Sequence, residues 1–388
     1  MKRKICFFTG TRAEYGIMSR LMRMVKDSQT CELQIVATNM HLSPEFGLTY
    51  KEIEADGFVI NKKVEMLLSS DTSNGTVKSM GLATIGFADA LEDLNPDLVV
   101  ILGDRYEMLA AAQACLIYKI PVAHLYGGEI TEGAYDDSIR HAITKLSCLH
   151  FTSTEEYRKR IIQMGEEPGR VFYVGSLGVD NIRHEAAMPL DELEQSLNFH
   201  LGKRFLLITF HPVTMENATA ASQCDDLLKA LSEMNEEYQL LFTLPNSDTN
   251  GRVIAAKVKE YVKTHGEKAL AVDSLGKKRY YSALKYACAV IGNSSSGLVE
   301  APSFGIPTLN IGDRQKGRAR GGSVVDVPAS YQEIKSGLRK ALSEEFRAIA
   351  SAGKNPYEKD NTLQAIFDVI ENYPLENIVK KHFYDIRI

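Results

Sequence analysis

The chain has 388 residues, of which 44% are hydrophobic and 24% are charged, and its formal net charge is −5. This length exceeds the usual size of one hydrophobic core, so two domains are expected, and the globular composition excludes extended disorder, collagen-like repeats and coiled coils. The net charge is slightly negative and so gives no sign of the excess of positive charge that is typical of proteins that bind nucleic acid. No stretch is apolar for long enough to span a membrane.

Short apolar runs alternate with helical patterns along the first half of the chain. Within each run the apolar residues are continuous rather than alternating, as in parallel strands that are covered on both faces. Strands separated by helices predict right-handed βαβ units in a doubly wound sheet. The predicted strands are residues 4–8, 33–38, 98–102 and 121–125.

The same alternation restarts in the second half. The predicted strands there are residues 204–210, 239–244, 269–272, 288–291 and 308–311. Each run ends in small, polar or turn-forming residues, and ligands of open α/β sheets bind at these carboxyl ends. The stretch 176–200 has no buried strand and is the predicted linker, and a last helical pattern covers 362–373.

This pattern predicts an α/β protein with two Rossmann-like, doubly wound domains that face a cleft. The predicted domains are an N-terminal one over residues 1–177 with catalytic acids and a nucleotide-binding one over 178–365. Residues 366–388 are expected to form a helix and tail that pack back on the first domain. A glycosyltransferase-B-like architecture, two tandem Rossmann oxidoreductase domains and a periplasmic-binding-protein-like pair all fit the pattern.

The first candidate motif, GTRAEYG, follows the first strand at residues 10–16. It lacks the second glycine of a dinucleotide fingerprint and the lysine of a Walker motif. A glycine turn, a helix N-terminus and Arg12 remain, which together can bind an anion. A plain strand-to-helix turn with a solvated Arg12 explains the residues equally well.

Three acids follow predicted strands of the first half: Asp104, Glu129 and Asp136. A lone acid at a strand exit is often only a helix N-cap, and a surface ion pair explains Asp136 with Arg140 at helical i, i+4 spacing. Three such acids together, with Gly127 and Gly128 allowing close approach of a ligand, favour general acid–base chemistry.

In the second half, His211 stands at a strand end before a proline, which favours a role in a site. The motif GNSSSGLVE at residues 292–300 places three hydroxyls and Gly297 at a helix start, where backbone and hydroxyl donors can bind phosphate. Glu300 lies one turn further on, within reach of a ribose. The loop 312–321 carries four cations, including Arg314, and is either an anion clamp or a solvated charged loop.

The remaining signals are negative. The six cysteines form no close Cys-x-x-Cys pair and no group has metal-ligand spacing, so neither a metal nor a cofactor is predicted. No Gly-x-Ser-x-Gly elbow is present, which argues against a serine hydrolase. The apolar run that ends at Gly10 is too short for a signal peptide, so a cytoplasmic protein is expected.

With these residues assembled, the chain resembles the UDP-N-acetylglucosamine 2-epimerase family, and most closely its hydrolysing branch in sialic acid synthesis. The resemblance runs from Ile5 to about Tyr357. The motifs that carry it are GTRAEYG at 10–16, GDRYE at 103–107, GGE at 127–129, DDSIRHAITKLS at 136–147, FHP at 210–212, LPNSD at 244–248, GNSSSGLVE at 292–300 and GDRQKGR at 312–318.

The resemblance implies a glycosyltransferase-B-like fold and a uridine diphosphate sugar as substrate. It implies anti elimination of UDP to 2-acetamidoglucal, followed by hydration to N-acetylmannosamine. It assigns acid–base roles to Asp104, Asp136 and His211. Tyr126 stands where relatives carry an acid, and we interpret Glu129 as its substitute. The implied ligands of the nucleotide diphosphate are Arg12, Asn246, Ser294, Ser295, Ser296, Gly297, Glu300 and Arg314.

Other functions remain open at this point. A non-hydrolysing epimerase would keep UDP on the sugar, and a close variant acts on a UDP-diacetamido-trideoxy sugar of legionaminic acid synthesis. A retaining glycosyltransferase would share the fold but need an acceptor. A nucleotide-sugar-binding regulator without chemistry would not need the three acids. A homodimer is expected in each case.

Overall fold

The computed structural model describes residues 2–68, 70, 72–132, 134–213, 219–234, 237–245 and 251–386. These residues group into two compact units. The first comprises Met1–Glu129, Asp136–Asn181 and Tyr357–Ile388, and the second comprises Ile130–Tyr135 and Ile182–Pro356. The domain boundaries after residues 177 and 365 stay predictions.

The first unit is built on a sheet of seven parallel strands in the order β3-β2-β1-β4-β5-β6-β7. The order reverses between β1 and β4, and ligands of such sheets bind beside the carboxyl ends at this switch point. The strands are β1 (Arg3–Thr9), β2 (Cys31–Thr38), β3 (Lys62–Val64), β4 (Leu98–Leu102), β5 (Val122–Leu125), β6 (Leu149–Thr152) and β7 (Val171–Tyr173).

Helices cover both faces of this sheet. They are α1 (Arg12–Asp27), α2 (Tyr50–Ala55), α3 (Ser73–Leu94), α4 (Tyr106–Tyr118), α5 (Asp136–Leu146), α6 (Glu155–Gln163), α7 (Leu177–His184) and the late α15 (Thr362–Asn372). In β1, Ile5 and Phe7 pack in one hydrophobic cluster with α1 and α15. Cys6 and Phe8 pack in a second cluster with α3 and α4. Burial on both faces is the physical reason for the continuous apolar run.

The second unit repeats the plan with six parallel strands in the order β10-β9-β8-β11-β12-β13. Its switch point lies between β8 and β11. The strands are β8 (Phe205–Thr209), β9 (Gln239–Thr243), β10 (Ala269–Val272), β11 (Ala289–Gly292), β12 (Thr308–Ile311) and β13 (Val324–Val327). The helices are α8 (Leu190–Leu197), α9 (Ala220–Ser232), α10 (Gly251–Thr264), α11 (Gly276–Tyr286), α12 (Ser296–Val299), α13 (Tyr331–Ala341) and α14 (Glu344–Ala352).

The predicted fold class, two doubly wound α/β sheets, is confirmed. In β8, Leu206 and Ile208 pack with α9 and α13, whereas Phe205 and Leu207 pack with α8 and α11. Four strands were not predicted, β3, β6, β7 and β13, because they have only three or four residues and three of them carry charged or polar side chains. The stretch 176–200, predicted as linker, contains α7 and α8. None of the described helices is long and apolar enough to cross a membrane.

Two carboxyl groups, those of Glu14 and Glu107, are buried near the loops after β1 and β4 at the switch point of the first unit. Glu14 Oε2 accepts hydrogen bonds from the backbone N–H of Gly10 (2.7 Å) and of Thr11 (3.0 Å), which completes a capping box at the start of α1. Glu107 is fully buried and pairs with Arg105 at 2.7 Å. Burial, and next the charge of Glu107, raise the pKa of Glu14 to about 8. The Glu14 carboxyl therefore holds a proton at neutral pH.

We predict that Glu14→Gln changes how stability depends on pH. An unfolded glutamate releases its proton near pH 4.5, whereas folded Glu14 keeps it up to about pH 8. Between these values the folded state binds more protons, so the wild-type free energy of unfolding should gain a contribution that falls as pH rises, by at most about 1.4 kcal/mol per unit. Glu14→Gln lacks this contribution.

Urea unfolding at pH 5, 6, 7 and 8 measures the effect, as the difference between wild type and Glu14→Gln. The exposed Glu32 supplies the matched control, since Glu32→Gln should leave the wild-type pH slope unchanged. Equal slopes in wild type and Glu14→Gln would show that Glu14 is ionised in the folded protein.

Candidate functional site

Two of the predicted acids in the first unit are joined by one buried arginine. Arg140 of α5 is only 1% exposed, and its guanidinium pairs with the carboxylate of Asp104 after β4. It also donates to the backbone carbonyl of Glu129 (2.8 Å) and to Asp137 Oδ1 (3.3 Å). A buried guanidinium must be paired, so it holds the loops after β4 and β5 against α5.

Glu129 and Asp136 differ in their surroundings. Glu129 is buried, and its Oε1 accepts a hydrogen bond from Ser153 Oγ at 3.0 Å. Asp136 is the first residue of α5 and is half-buried, next to the Asp137 that contacts Arg140. The structure thus brings the carboxylate of Asp104 and the backbone carbonyl of Glu129 to a single side chain, with Asp136 at the start of the helix that carries it. Sequence reasoning named Arg140 only as a partner for Asp136.

Tyr126, at the position where the resemblance implied an acid, connects two segments of the first unit. Its backbone has a φ of +68°, which is unusual for a residue with a side chain. Its hydroxyl lies 2.8 Å from Ser176 Oγ and accepts from the N–H of Gly178 at 2.9 Å. The tyrosine therefore ties the loop after β5 to the start of α7.

Arg12 opens α1, and its guanidinium pairs with Glu52 of α2 at 2.6 Å. The sequence predicted an anion-binding arginine at this place but did not foresee the carboxylate beside it. An anion that binds Arg12 would compete with Glu52 for the guanidinium. The role of Arg12 as a diphosphate ligand stays a prediction.

In the second unit, Asn293 joins the loops that follow β8, β11 and β12. Its side chain is buried; Oδ1 accepts from the N–H of His211 (2.7 Å) and Nδ2 donates to the carbonyl of His211 (2.8 Å). The backbone carbonyl of Asn293 accepts from Gln315 Nε2 (2.9 Å) and from Arg314 Nη1 (3.3 Å). His211, Arg314 and the start of the serine motif are thus brought to one edge of the sheet.

Asn293 and Gln315 were not among the predicted site residues. The only signal for Asn293 was its place directly after a buried strand, where an amide can bond backbone on a neighbouring loop. Gln315 lay inside a loop that the sequence marked only for its cations. Both are almost fully buried, which a local pattern of charged residues does not predict.

The serine motif lies where the sequence predicted it. Ser294 and Ser295 are half-buried, and Ser296 begins the short helix α12. Gly297 is buried, and a Cβ there would come within 2.6 Å of Thr308 Cγ2, so the motif packs closely on β12. Glu300 follows α12, and its charge adds to burial in raising the pKa of Tyr280. Asn246, the other predicted nucleotide ligand, lies outside the described residues.

Comparisons with known proteins identify the family of the chain. The family model for UDP-N-acetylglucosamine 2-epimerase matches residues 23–371. A relative from Campylobacter jejuni, GDP/UDP-N,N'-diacetylbacillosamine 2-epimerase (hydrolyzing), is 45% identical over 99% of this chain and 100% of its own length. The polysialic acid biosynthesis protein P7 of Escherichia coli is 40% identical over 99% of this chain and 98% of its own length.

Solved structures agree on the fold. The UDP-N-acetylglucosamine 2-epimerase of Neisseria meningitidis, solved with UDP-N-acetylglucosamine bound, matches with a TM-score of 0.79 at 17% identity, covering 95% of this chain and 99% of that chain. At this identity the likeness concerns the fold alone. The match to the family model and the two close relatives show that the chain belongs to the UDP-N-acetylglucosamine 2-epimerase family.

Proposed function

We propose that the chain is a hydrolysing 2-epimerase, which converts a UDP-linked 2-acetamido sugar and water into UDP and the free sugar inverted at C2. The observation that carries the proposal is buried Arg140 at the carboxyl ends of β4 and β5, which pairs with the carboxylate of Asp104 and binds the backbone carbonyl of Glu129. Carboxylates held at such a place serve proton transfer at a carbon centre. The 45% identity to a hydrolysing 2-epimerase over the whole chain supports it.

Two sugar nucleotides are candidate substrates. The first is UDP-N-acetylglucosamine, with N-acetylmannosamine as product for sialic acid synthesis, and the 40% identity to a polysialic acid biosynthesis protein supports it. The second is UDP-N,N'-diacetylbacillosamine, a diacetamido-trideoxy sugar nucleotide, which the 45% identical relative supports by its name. Both carry the acetamido group at C2, so the same elimination applies to either.

The proposed reaction begins with cleavage of the bond between the anomeric carbon and UDP. Negative charge then develops on the diphosphate, and Arg314 with the donors of Ser294–Ser296 is suited to stabilise it. The proton at C2 is weakly acidic, so its loss accompanies or follows this cleavage rather than preceding it. We assign its removal to the carboxylates of Asp104 with Glu129 or Asp136, and protonation of the leaving diphosphate to His211.

The deciding experiment supplies each sugar nucleotide alone, without an acceptor, in deuterated water. We expect release of UDP together with the free C2-inverted sugar, carrying one deuterium at C2. The ratio of kcat/KM for the two compounds identifies the substrate. An inverted sugar that is still bound to UDP would indicate a non-hydrolysing epimerase, and complete retention of the original hydrogen would exclude elimination.

We predict that Asp104→Asn lowers kcat by about two or more orders of magnitude, the scale of one acid–base group, and leaves UDP affinity unchanged. Turnover and calorimetric titration with UDP measure the two quantities. Asp273→Asn, at an exposed carboxylate of the second unit, is the control and should behave as wild type. Wild-type turnover in Asp104→Asn would remove Asp104 from the mechanism.

We also propose that the chain forms a homodimer through α3 and α4. These helices pack against each other in the first unit and expose apolar side chains on their outer surface. The exposed residues are Val77, Leu82, Ile85, Leu116 and Ile117. A patch of this kind is typical of a protein–protein interface, and a symmetric dimer buries the same patch on both chains.

The dimer is tested with Ile85→Glu, which places a charge among the exposed apolar side chains of α3. Sedimentation equilibrium should give the mass of two chains for wild type and of one chain for the variant. Val59, 76% exposed but outside α3 and α4, is the matched site, and Val59→Glu should stay dimeric. A monomeric wild type, or a dimeric Ile85→Glu protein, would contradict the proposed interface.

A further inference from the structure

A buried histidine holds the backbone directly before Asp104. His124 lies on β5, is fully buried, and its Nε2 is 2.7 Å from the carbonyl oxygen of Gly103. Its other ring nitrogen, Nδ1, is 3.2 Å from Oγ1 of Thr144, which is fully buried on α5. The acid–base assignments proposed above use neither side chain.

The partners determine where the protons lie. A carbonyl oxygen only accepts, so Nε2 of His124 must carry the hydrogen and donate it to Gly103. Burial lowers the pKa of His124 to about 3, so the ring is neutral at working pH. In a neutral ring Nδ1 is then an acceptor, and the hydroxyl of Thr144 must donate to it. The chain of hydrogen bonds therefore runs in one direction, from Thr144 through His124 to Gly103.

The chain of hydrogen bonds ends at Gly103, whose own N–H donates to the carbonyl of Leu125 on β5 (3.0 Å). Gly103 has a φ of +79°, in the left-handed region that glycine tolerates best, and it immediately precedes Asp104. A glycine does not restrict its own dihedral angles, so another group must fix the orientation of its carbonyl. The bond from His124 does this, and so sets the direction in which the chain enters Asp104.

Helix α5 consequently holds Asp104 in two ways. Arg140 binds its carboxylate directly, and Thr144, one helical turn later on the same face, controls the preceding carbonyl through His124. A Cβ on Gly127 would lie 3.0 Å from both His124 Nδ1 and Thr144 Oγ1, so the glycine segment before Glu129 packs closely on the same pair. Loss of the Thr144 hydroxyl would release the imidazole and, with it, the Gly103 carbonyl.

We propose that Thr144 and His124 are positioning residues, which set the geometry of Asp104 for proton transfer through the Gly103 carbonyl. This inference rests on the proposed function, because it assumes that Asp104 takes part in the reaction. A misplacement of about 1 Å at a reacting group costs up to about a hundredfold in rate. Loss of one hydrogen bond in this chain is accordingly expected to lower kcat by about tenfold.

The test uses Thr144→Val, which keeps the shape of the side chain and removes the donor. We expect kcat to fall about tenfold with unchanged UDP affinity, and Thr144→Ser, which restores a hydroxyl, to recover most of the loss. Ser147→Ala is the matched control, since Ser147 is a buried residue just after α5 whose hydroxyl donates to the carbonyl of Ile143. It should keep the wild-type kcat.

A double-variant cycle separates positioning from general damage. If Thr144 acts through Asp104, adding Thr144→Val to Asp104→Asn should cost no further activity, measured with radiolabelled substrate. A further tenfold loss in the double variant, or wild-type kcat in Thr144→Val, would overturn the inference.

A second measurement does not depend on turnover. Hydrogen exchange of the peptide spanning residues 103–108 should be faster in Thr144→Val than in wild type and unchanged in Ser147→Ala. Equal exchange in all three proteins would overturn the inference even if neither sugar nucleotide proves to be a substrate. Faster exchange in a protein that turns over neither would support the positioning and count only against the proposed function.

Discussion

The burial of Arg140 is the constraint on which the arrangement of the first unit depends. A guanidinium that is 1% exposed cannot remain unpaired, and three groups from separate segments supply its partners: the carboxylates of Asp104 and Asp137 and the carbonyl of Glu129. Because these partners follow β4, follow β5 and belong to α5, one charged side chain aligns the loops that carry the candidate acids. The positive charge also offsets the repulsion between the carboxylates of Asp104 and Asp137, which both contact it.

In the second unit, a neutral side chain rather than a charged one joins the loops at the switch point of the sheet. Its switch point also lies beside the first strand of the sheet, but there the joining side chain is the amide of Asn293, which bonds both backbone groups of His211. An amide can donate and accept at once without adding charge. The choice of a charged joining group in one unit and a neutral one in the other suits the proposed roles. Carboxylates that lie close together need a positive charge beside them, whereas a diphosphate site must leave its cations available to the ligand.

The two carboxyl-rich clusters of the first unit also serve different ends. The Glu14 and Glu107 carboxyls are buried, and burial with the charge of Glu107 raises the pKa of Glu14. The Glu14 carboxyl accepts from the backbone of Gly10 and Thr11, whereas Glu107 pairs with Arg105. The carboxyls around Arg140 are held by an ion pair. The same edge of the sheet thus carries the protonated Glu14 carboxyl, which caps α1, and the charged carboxylates around Arg140. The structural role and the proposed chemical role therefore belong to different side chains.

The sequence by itself determined which segments are strands and which loops follow their carboxyl ends. Burial of both faces of a parallel strand imposes a continuous apolar run, as in β4 and β8, and such a run is visible in neighbouring residues. Asp104, His211 and the serine motif were found for this reason. Of the strands that were not predicted, β3 and β7 have only three residues, and His150 and Asp326 interrupt the apolar runs of β6 and β13.

Only the tertiary structure decided which of these residues meet. Arg140 lies 36 residues from Asp104, and Asn293 lies 82 from His211. Their contacts depend on strand order, which the crossovers set and which no local pattern encodes. The same holds for protons: Glu14 and His124 look like ordinary polar residues in the sequence, and only burial among particular neighbours makes one a carboxylic acid and the other a neutral imidazole at pH 7.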